Sequence, residues 1–535
     1  MIGFNLSFMQ KIMRCFFIIF IFLSCNQKNS NTVLPVEYDN GYQTASFSDP
    51  ERMEKIKQAF PAIDKIFKDY ADSNHLPGVA YGLVVEGQLV YKGNIGFTDI
   101  EKKIPVTSTS LFRIASMSKS FATMALLKLR DEGKLNLDDP AYYYIPELKN
   151  LKYPTVDAPH ITIRHLMTHG AGFPEDNPWG DRQLADSDKD LMEFIGKQIS
   201  FSNPPGIAYE YSNLGFALLG KIITTVSGMQ YQQYIKKNIF NPLGMKTTTY
   251  EYADVAPDKL AHGYRWLNEK WNEEELLHDT KDGSWGAMGA MISSIDEFAN
   301  YMGLHLSAWP ANNMQDDGPI KRSSVREMHH PWRWNGFNPG YKFPDGRTCA
   351  ITTAYTYGLG WMKDCDGKTY IAHSGGLPGF GSQWRMMPDY GIGIVSFSNR
   401  TYAPMGFVNL KILDTIIKIA GLQPMQLPAS KILEQRKNEL IKMLPDWIGA
   451  EQSGIFAENF FPDFKIDSLK KDARDLYTKA GKIISVKGMK AENQLRGTFI
   501  LEGEKTDIEI YFTLSPENPA LIQEYHIKEV PKLKK

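Results

Sequence analysis

Residues 112–129, "FRIASMSKSFATMALLKL", place a serine three positions ahead of a lysine just where an apolar run begins. The pattern predicts a helix over about 116–132, and positions three apart share a helical face. Ser116 and Lys119 therefore stand one turn from each other. A serine hydroxyl near neutral pH is a poor nucleophile; it needs a base within reach and a way to hold the oxyanion it creates. A desolvated, partly neutral lysine supplies the first, and the partial positive charge and free N–H groups of a helix start supply the second. Taken alone, the spacing decides nothing. It recurs at Ser468 and Lys471 in "IDSLKKDA", which reads as a solvated helical face, and serine is common at helix starts.

Outward from this stretch the chain alternates between strand and helix patterns. "ERMEKIKQAFPAIDKIFKDYADSN" has apolar residues at three- and four-residue intervals and predicts a helix. "GVAYGLVVEGQLVYKGNIGFTD" predicts two strands joined by a tight turn at 86–88. From 137 to about 295 the pattern is mostly helical, with proline punctuation at "NPPG" and "NPLG". Strands return in "YGLGWMK", "KTYIAHSGG", "GSQWRMMPD" and "GIGIVSFSN", and a helix over about 402–419 would cover them. The fold class expected is α/β (α+β): an antiparallel sheet flanked by helices, with an inserted helical subdomain. "GLQPMQLPAS", residues 421–430, reads as a linker, and the residues after it read as a small α+β domain.

Two further motifs place the serine and lysine in a family. "YEYSNLGFALLG" holds Tyr211 and Asn213 in a Tyr-x-Asn, and "IAHSGGLPGF" holds His373 and Gly375 in a His-x-Gly. With Ser116 and Lys119 these stand in the order of the serine β-lactamase and penicillin-binding protein superfamily, and the first motif resembles its class C branch. "ITIRHLMTHGAGFP" and "SWGAMGAMISSIDEFANYM" also resemble segments of this family. The resemblance covers roughly 56–419. It implies a β-lactamase/transpeptidase-like fold in which Ser116 attacks a carbonyl and carries the acyl group. Lys119 and Tyr211 would share general-base and general-acid duty, the ammonium of Lys119 stabilising the Tyr211 phenolate. Asn213 would bond Lys119 and a substrate amide, and the N–H groups of Ser116 and Gly376 would hold the oxyanion. His373, with Gly375 and Gly376, would line the substrate site. A histidine, only partly charged at neutral pH, stands where many β-lactamases and carboxypeptidases carry lysine. That favours the esterase and peptidase relatives.

The expected function is a class C β-lactamase-related serine hydrolase with an acyl-enzyme mechanism on an ester, amide or D-amino-acid peptide. A true β-lactamase or penicillin-binding D,D-carboxypeptidase is the second enzyme reading. A cell-wall or partner-binding protein with a silent cleft is the reading from another class. No metal or organic cofactor is implied. His165 and His169 share a helical face but lack a HExxH, a third ligand or a catalytic glutamate, and read as structural. His329 and His330 read as loop residues, and "HPWRWNGF" either lines a cleft or simply packs. GxSxG, the nucleophile elbow of α/β-hydrolases, is absent.

Length and charge limit the rest. At 535 residues the chain exceeds what one core usually fills. Its 60 Lys+Arg nearly balance 61 Asp+Glu, with no basic block interleaved with aromatics, so nucleic acid is not an expected partner. The first 25 residues put Lys11 and Arg14 before a short apolar run, as a secretory signal does. "FLSC" resembles the lipobox of bacterial lipoproteins, which implies lipidation at Cys25 and a membrane anchor. The expected place is the bacterial cell envelope, facing the periplasm or cell exterior. The expected organisation is a signal peptide over 1–25, a polar tether over 26–50, the hydrolase domain over 51–422 and the accessory domain over 430–535. Cys349 and Cys365 then remain, either joined in an oxidising compartment or as two separate thiols.

Overall fold

A nine-stranded antiparallel sheet organises the larger part of the chain. The structure is a computed structural model describing residues 41–256, 258–274 and 283–532. Cys25 and the signal segment lie outside these. Numbered along the chain, the strands are β1 (Gly78–Val85), β2 (Gln88–Asp99), β3 (Ile104–Pro105), β4 (Arg333–Lys342), β5 (Thr348–Tyr355), β6 (Gly360–Asp364), β7 (Thr369–Leu377), β8 (Phe380–Met387) and β9 (Ile392–Ser398). Their order across the sheet is β3-β2-β1-β9-β8-β7-β6-β5-β4. The N-terminal hairpin thus joins the C-terminal strands through β1 and β9, and residues 106–332 form an insertion between two halves of one sheet. The hairpin turns at Glu86 and Gly87, both with positive φ, as the two-residue turn requires.

Helices pack on both faces. On one lie α2 (Lys119–Asp131), α3 (Asn213–Ser227) and α4 (Ile295–Ser307), whose Phe121, Phe216 and Phe298 share a buried cluster with Ile371, Trp384 and Met386 of the sheet. On the other lie α1 (Phe60–Ser73) and α5 (Met405–Ala420), which bury Phe67, Ile412 and Ile416 against Tyr370, Met387 and Ile394. Alternate residues of a strand point to opposite faces, so the sheet feeds both cores. Truncating an aromatic as enclosed as Phe121 to alanine would cost about 3–5 kcal/mol. The periodic segment before β1 is split: a short helix, Arg52–Lys57, ends and α1 begins with Pro61 in its first turn, where a missing N–H costs nothing.

Two long strands of this sheet, β4 and β5, escape the sequence pattern. β4 contains Gly336, Pro339 and Gly340, pairs with two register shifts, and is mostly exposed, so it lacks alternation. β5 is hidden with it. Cys349 in β5 and Cys365 after β6 form a disulfide. His329, expected in a loop, lies in the turn after the short helix Arg322–Met328 and is buried there: Trp309 Nε1 donates to its Nδ1 at 2.8 Å, and its Nε2 lies 2.7 Å from His305 Nδ1.

Past 430 the chain forms α6 (Lys431–Met443) and α7 (Ile466–Ala480), then β10 (Ile483–Val486), β11 (Lys490–Asn493), β12 (Arg496–Gly503), β13 (Asp507–Leu514) and β14 (Ile522–Val530). These strands make a second antiparallel sheet, and residues such as Leu440, Phe499 and Ile510 make a separate hydrophobic cluster. Ser468 and Lys471 are exposed on α7, where Lys471 pairs with Asp475 at 2.9 Å. Before α1, Ser46 exchanges two backbone hydrogen bonds with Gln426. Among the described residues, no helix is long and apolar enough to cross a membrane.

Candidate active site

Ser116 stands on a 3-10 turn, Ala115–Ser118, that leads straight into α2. Ala115 has φ +51°, an uncommon left-handed conformation for a residue with a side chain. Its neighbours hold it there. Ile114 N–H donates to the Met291 carbonyl at 2.9 Å, Ser382 Oγ donates to the Ile114 carbonyl at 2.7 Å, and Ser118 Oγ donates to the Ala115 carbonyl at 2.7 Å. Gly375 of β7 passes so close that a Cβ there would collide with the Ile114 carbonyl oxygen and the Ala115 Cβ. As the second residue of its turn, Ser116 has a backbone N–H without an intrahelical acceptor.

The first two motifs meet at the Ser116 hydroxyl, and the third lines the same cleft. Lys119 Nζ lies 2.9 Å and the Tyr211 hydroxyl 2.8 Å from Ser116 Oγ. Lys119 is fully buried, and Nζ also donates to Asn213 Oδ1 and to the Met288 carbonyl, each at 2.7 Å. Burial without a paired carboxylate pulls its pKa down to about 7, against an opposing pull from Asp176, Asp181 and Glu175. Burial pushes the Tyr211 phenol well above its ordinary value, an effect that the bond to Ser116 only partly offsets. At neutral pH the phenol keeps its proton while Lys119 is partly the free amine. At rest the site therefore pairs a neutral tyrosine with a readily deprotonated lysine. A neutral amine whose two N–H groups face Asn213 and Met288 turns its lone pair toward Ser116.

The start of α3 fixes the second motif. Asp176 accepts from the N–H groups of Asn213 and Leu214 at 2.6 and 2.8 Å, a carboxylate where the helix dipole favours one. Ser212 caps the same end. Asn213 is fully buried, and its amide nitrogen donates to Asn177 Oδ1 at 2.6 Å. Asn213 thus positions Lys119, while Asn177 faces the cleft in the place expected of Asn213. Glu175, Asp176, Asn177 and Asp181 come from "FPEDNPWGD", whose only sequence signal is polar letters after a family-like segment.

His373 sits on β7 with Nδ1 2.6 Å from the Ser374 carbonyl, so Nδ1 carries the proton and donates. Nε2 then accepts from the Tyr355 hydroxyl at 2.9 Å. Burial, followed by the nearby charge of Lys119, pulls its pKa down to about 3. It is neutral at pH 7, beyond the partial charge its reference value suggests. His169 packs against the rings of Tyr211 and Tyr355 at 4.3 and 4.4 Å and accepts from Ser212 N–H at 3.0 Å. His165 joins the N-terminal cap of its own short helix. Neither is part of a metal-ligand cluster among the described residues.

Ser116, Asn177, Tyr211, His373, Gly375 and Gly376 line one cleft of about 630 Å³, a size ordinary for small-molecule sites. β6 pairs with β7 only from Thr369 to Ala372, so the edge of residues 373–377 on that side has no strand partner. An extended substrate can add to such an edge. Tyr402 packs over Gly376, and its hydroxyl donates to Asp181 at 2.8 Å, closing one end. A second cavity of similar size, lined by Gln230, Lys236 and Glu251 among others, contains none of these groups.

The sequence pattern of the family described as Beta-lactamase matches residues 63–415. The chain belongs to the beta-lactamase family. It is 28% identical over 351 residues to "Protein flp" of Staphylococcus aureus (strain MW2), covering 64% of each chain. It thus spans less than two thirds of the length of that relative. It is 32% identical over 266 residues to "Beta-lactamase-like protein 2" of Dictyostelium discoideum, 48% of this chain and 47% of that protein. In fold it is similar to the octameric penicillin-binding protein homologue from Pyrococcus abyssi, with TM-score 0.55, 20% identity, and 89% and 96% of the two chains covered. It is also similar to a penicillin binding protein from Bacillus halodurans, with TM-score 0.50, 22% identity, and coverage of 67% and 98%. Members of this beta-lactamase family are generally serine hydrolases, and the mixed α/β fold with its large antiparallel sheet is theirs.

Proposed function

We propose that the protein is a class C β-lactamase-related serine hydrolase that forms an acyl-enzyme on Ser116 and acts on an ester, amide or D-amino-acid peptide. The observation that carries this reading is the approach of Lys119 Nζ and the Tyr211 hydroxyl to one serine oxygen, at 2.9 and 2.8 Å. Lys119, as free amine, takes the Ser116 proton while Oγ bonds to the substrate carbonyl carbon. The carbonyl electron pair moves to oxygen, which the N–H groups of Ser116 and Gly376 hold. The C–O or C–N bond then breaks, and Tyr211 gives its proton to the leaving group. The Lys119 ammonium, 4.8 Å from the Tyr211 ring centre, compensates the phenolate and returns the proton. Water attacks the acyl-enzyme with the same base.

The neutral, buried His373 supports the esterase and peptidase branch, because it offers no fixed positive charge for a β-lactam carboxylate. The basic, apolar leader ending at Cys25 supports a lipid-anchored place in the bacterial cell envelope. The test is intact-mass detection of an adduct at Ser116 from a panel of esters, D-amino-acid amides, muropeptides and β-lactams, with Ser116→Ala as control. Rapid turnover of a chromogenic cephalosporin with little esterase activity would favour a β-lactamase. Neither adduct nor hydrolysis in wild type would favour a binding protein.

A further inference from the structure

One end of the cleft is closed by a carboxylate that no cation answers. Asp181 lies on the 3-10 turn Gly180–Arg182, is only 3% exposed, and is the one acid among the residues that line the cleft. The turn is held on both sides. Trp179 packs its ring against Phe194 and Trp285, each at 5.5 Å, and Gly180 passes so close to α3 that a Cβ on it would lie 2.8 Å from the Asn213 Cβ. Gly180 N–H also donates to the Asp176 carbonyl at 2.7 Å. Asp181 is thus fixed beside the second motif. Tyr402 ties it to the third, because its ring lies over Gly376 while its hydroxyl donates to Asp181 Oδ2 at 2.8 Å. Tyr402 holds this position at φ +50°, a conformation uncommon for a residue with a side chain.

This arrangement satisfies half of the carboxylate. Among the described residues none donates to Asp181 Oδ1, and no Lys, Arg or His nitrogen, that of Arg385 in the same cleft included, comes within 4 Å of either oxygen. Lys119 and the exposed Arg182 act on it only from further away. Burial raises the Tyr402 phenol above its ordinary value, so the phenol keeps its proton and Asp181 is the acceptor. A carboxylate taken from water with one oxygen unbonded is costly unless a donor or a cation meets it. A cleft that keeps one beside its reacting serine is built for a cation. A divalent metal ion would need several further oxygen ligands, and Asp181 belongs to no ligand cluster among the described residues. An ammonium group needs only such an oxygen for one of its three donors. Its place along the substrate follows from Tyr402. Gly376, whose N–H holds the carbonyl oxygen in the hydrolase reading, is one tyrosine ring away from Asp181, so the amine stands close to the reacting carbonyl.

We propose that Asp181, oriented by Tyr402, binds the ammonium group of substrates that carry a primary amine on the acyl side, next to the reacting carbonyl. The inference rests on the hydrolase reading for the words substrate and acyl, and its test separates the two. D-Alanine p-nitroanilide carries such an amine, mostly charged at pH 7 because its reference pKa is about 8. Isobutyric acid p-nitroanilide has the same shape, with a methyl group in place of the ammonium. Wild type is expected to prefer the amine about 10- to 100-fold in kcat/KM. Asp181→Asn keeps an acceptor for Tyr402 and removes most of that preference, and Tyr402→Phe removes part of it. If Asp181 served only to set the charge around Lys119, both anilides would change together and their ratio would stay. Equal kcat/KM for the two in wild type, or an unchanged ratio in Asp181→Asn, overturns the site while leaving the hydrolase. Calorimetry on Ser116→Ala needs no turnover. Binding of D-alaninamide, absent for isobutyramide and lost on adding Asp181→Asn, upholds the site even if no anilide is hydrolysed; equal behaviour of the two amides overturns it.

Discussion

The carbonyl oxygen of Ile114 fills the space that a Cβ on Gly375 would need. One peptide group separates that oxygen from Ala115, and Ala115 is the strained residue that presents Ser116. The third motif therefore acts on the nucleophile by shape as well as by lining the cleft. Gly375→Ala must push the 112–116 segment away from β7. Displacing a reacting group by about 1 Å costs roughly 100-fold, so kcat for acyl transfer is expected to fall by about that factor. Single-turnover acylation with a p-nitrophenyl ester measures it; a loss below threefold would show that the contact does not position Ser116.

The protonation states make a directional prediction for pH. Lys119 acts as base only when neutral, and its pKa is pulled down to about 7. Acylation by a neutral ester should rise up to tenfold per unit below pH 7 and level off above it. No ionisation of His373 is expected between pH 5 and 9, because it has already lost its proton at about pH 3. The Tyr211 phenol, raised above its ordinary value, gives no descending limb in that range. A profile flat from pH 5 to 9 would remove Lys119 from the role of base.

Much of the fold and of the site is legible in the sequence because local signals agree with the tertiary result. The turn at Glu86 and Gly87, the alternation around β7 to β9, and the apolar run after Ser116 each mark an element by its own chemistry. So do the three motifs: Ser116, Lys119, Tyr211 and Asn213 share one set of hydrogen bonds, and His373, far away in sequence, lines the same cleft with its ring centre 6.5 Å from that of Tyr211. The features that stay hidden have no local period. β4 is interrupted by glycine and proline, and its bulges break alternation. Asp176, Asp181 and Asn177 matter only because folding brings their loop onto the start of α3. His329 reads as a loop residue because burial beside Trp309 and His305 is a property of the packed molecule.

Asp176 offers a way to tune the base without touching the serine. Its carboxylate is the first of the charges that raise the Lys119 pKa against burial. Asp176→Asn removes that charge, so the free amine becomes easier to reach and the midpoint of the pH–rate profile should move below 7. The variant keeps one oxygen to accept from the α3 N–H groups and loses the favourable charge at that helix start, at a cost of about 1 kcal/mol. A midpoint that stays put or moves upward would contradict the electrostatic account of Lys119.

The bond between Cys349 and Cys365 separates stability from chemistry. The two residues are 16 apart in sequence and tie β5 to the segment after β6, and neither lines the cleft that holds Ser116. Closing a loop of that length removes unfolded-state entropy worth about 3 kcal/mol. Replacing both cysteines with alanine should therefore lower unfolding stability by roughly 2–3 kcal/mol in a urea titration. Acylation of Ser116 at 25 °C should stay within twofold of wild type. If acylation fell tenfold while the folded fraction was unchanged, the bridge would have to act on β7 through β6, and the division between a stabilising clamp and an independent reaction centre would not hold.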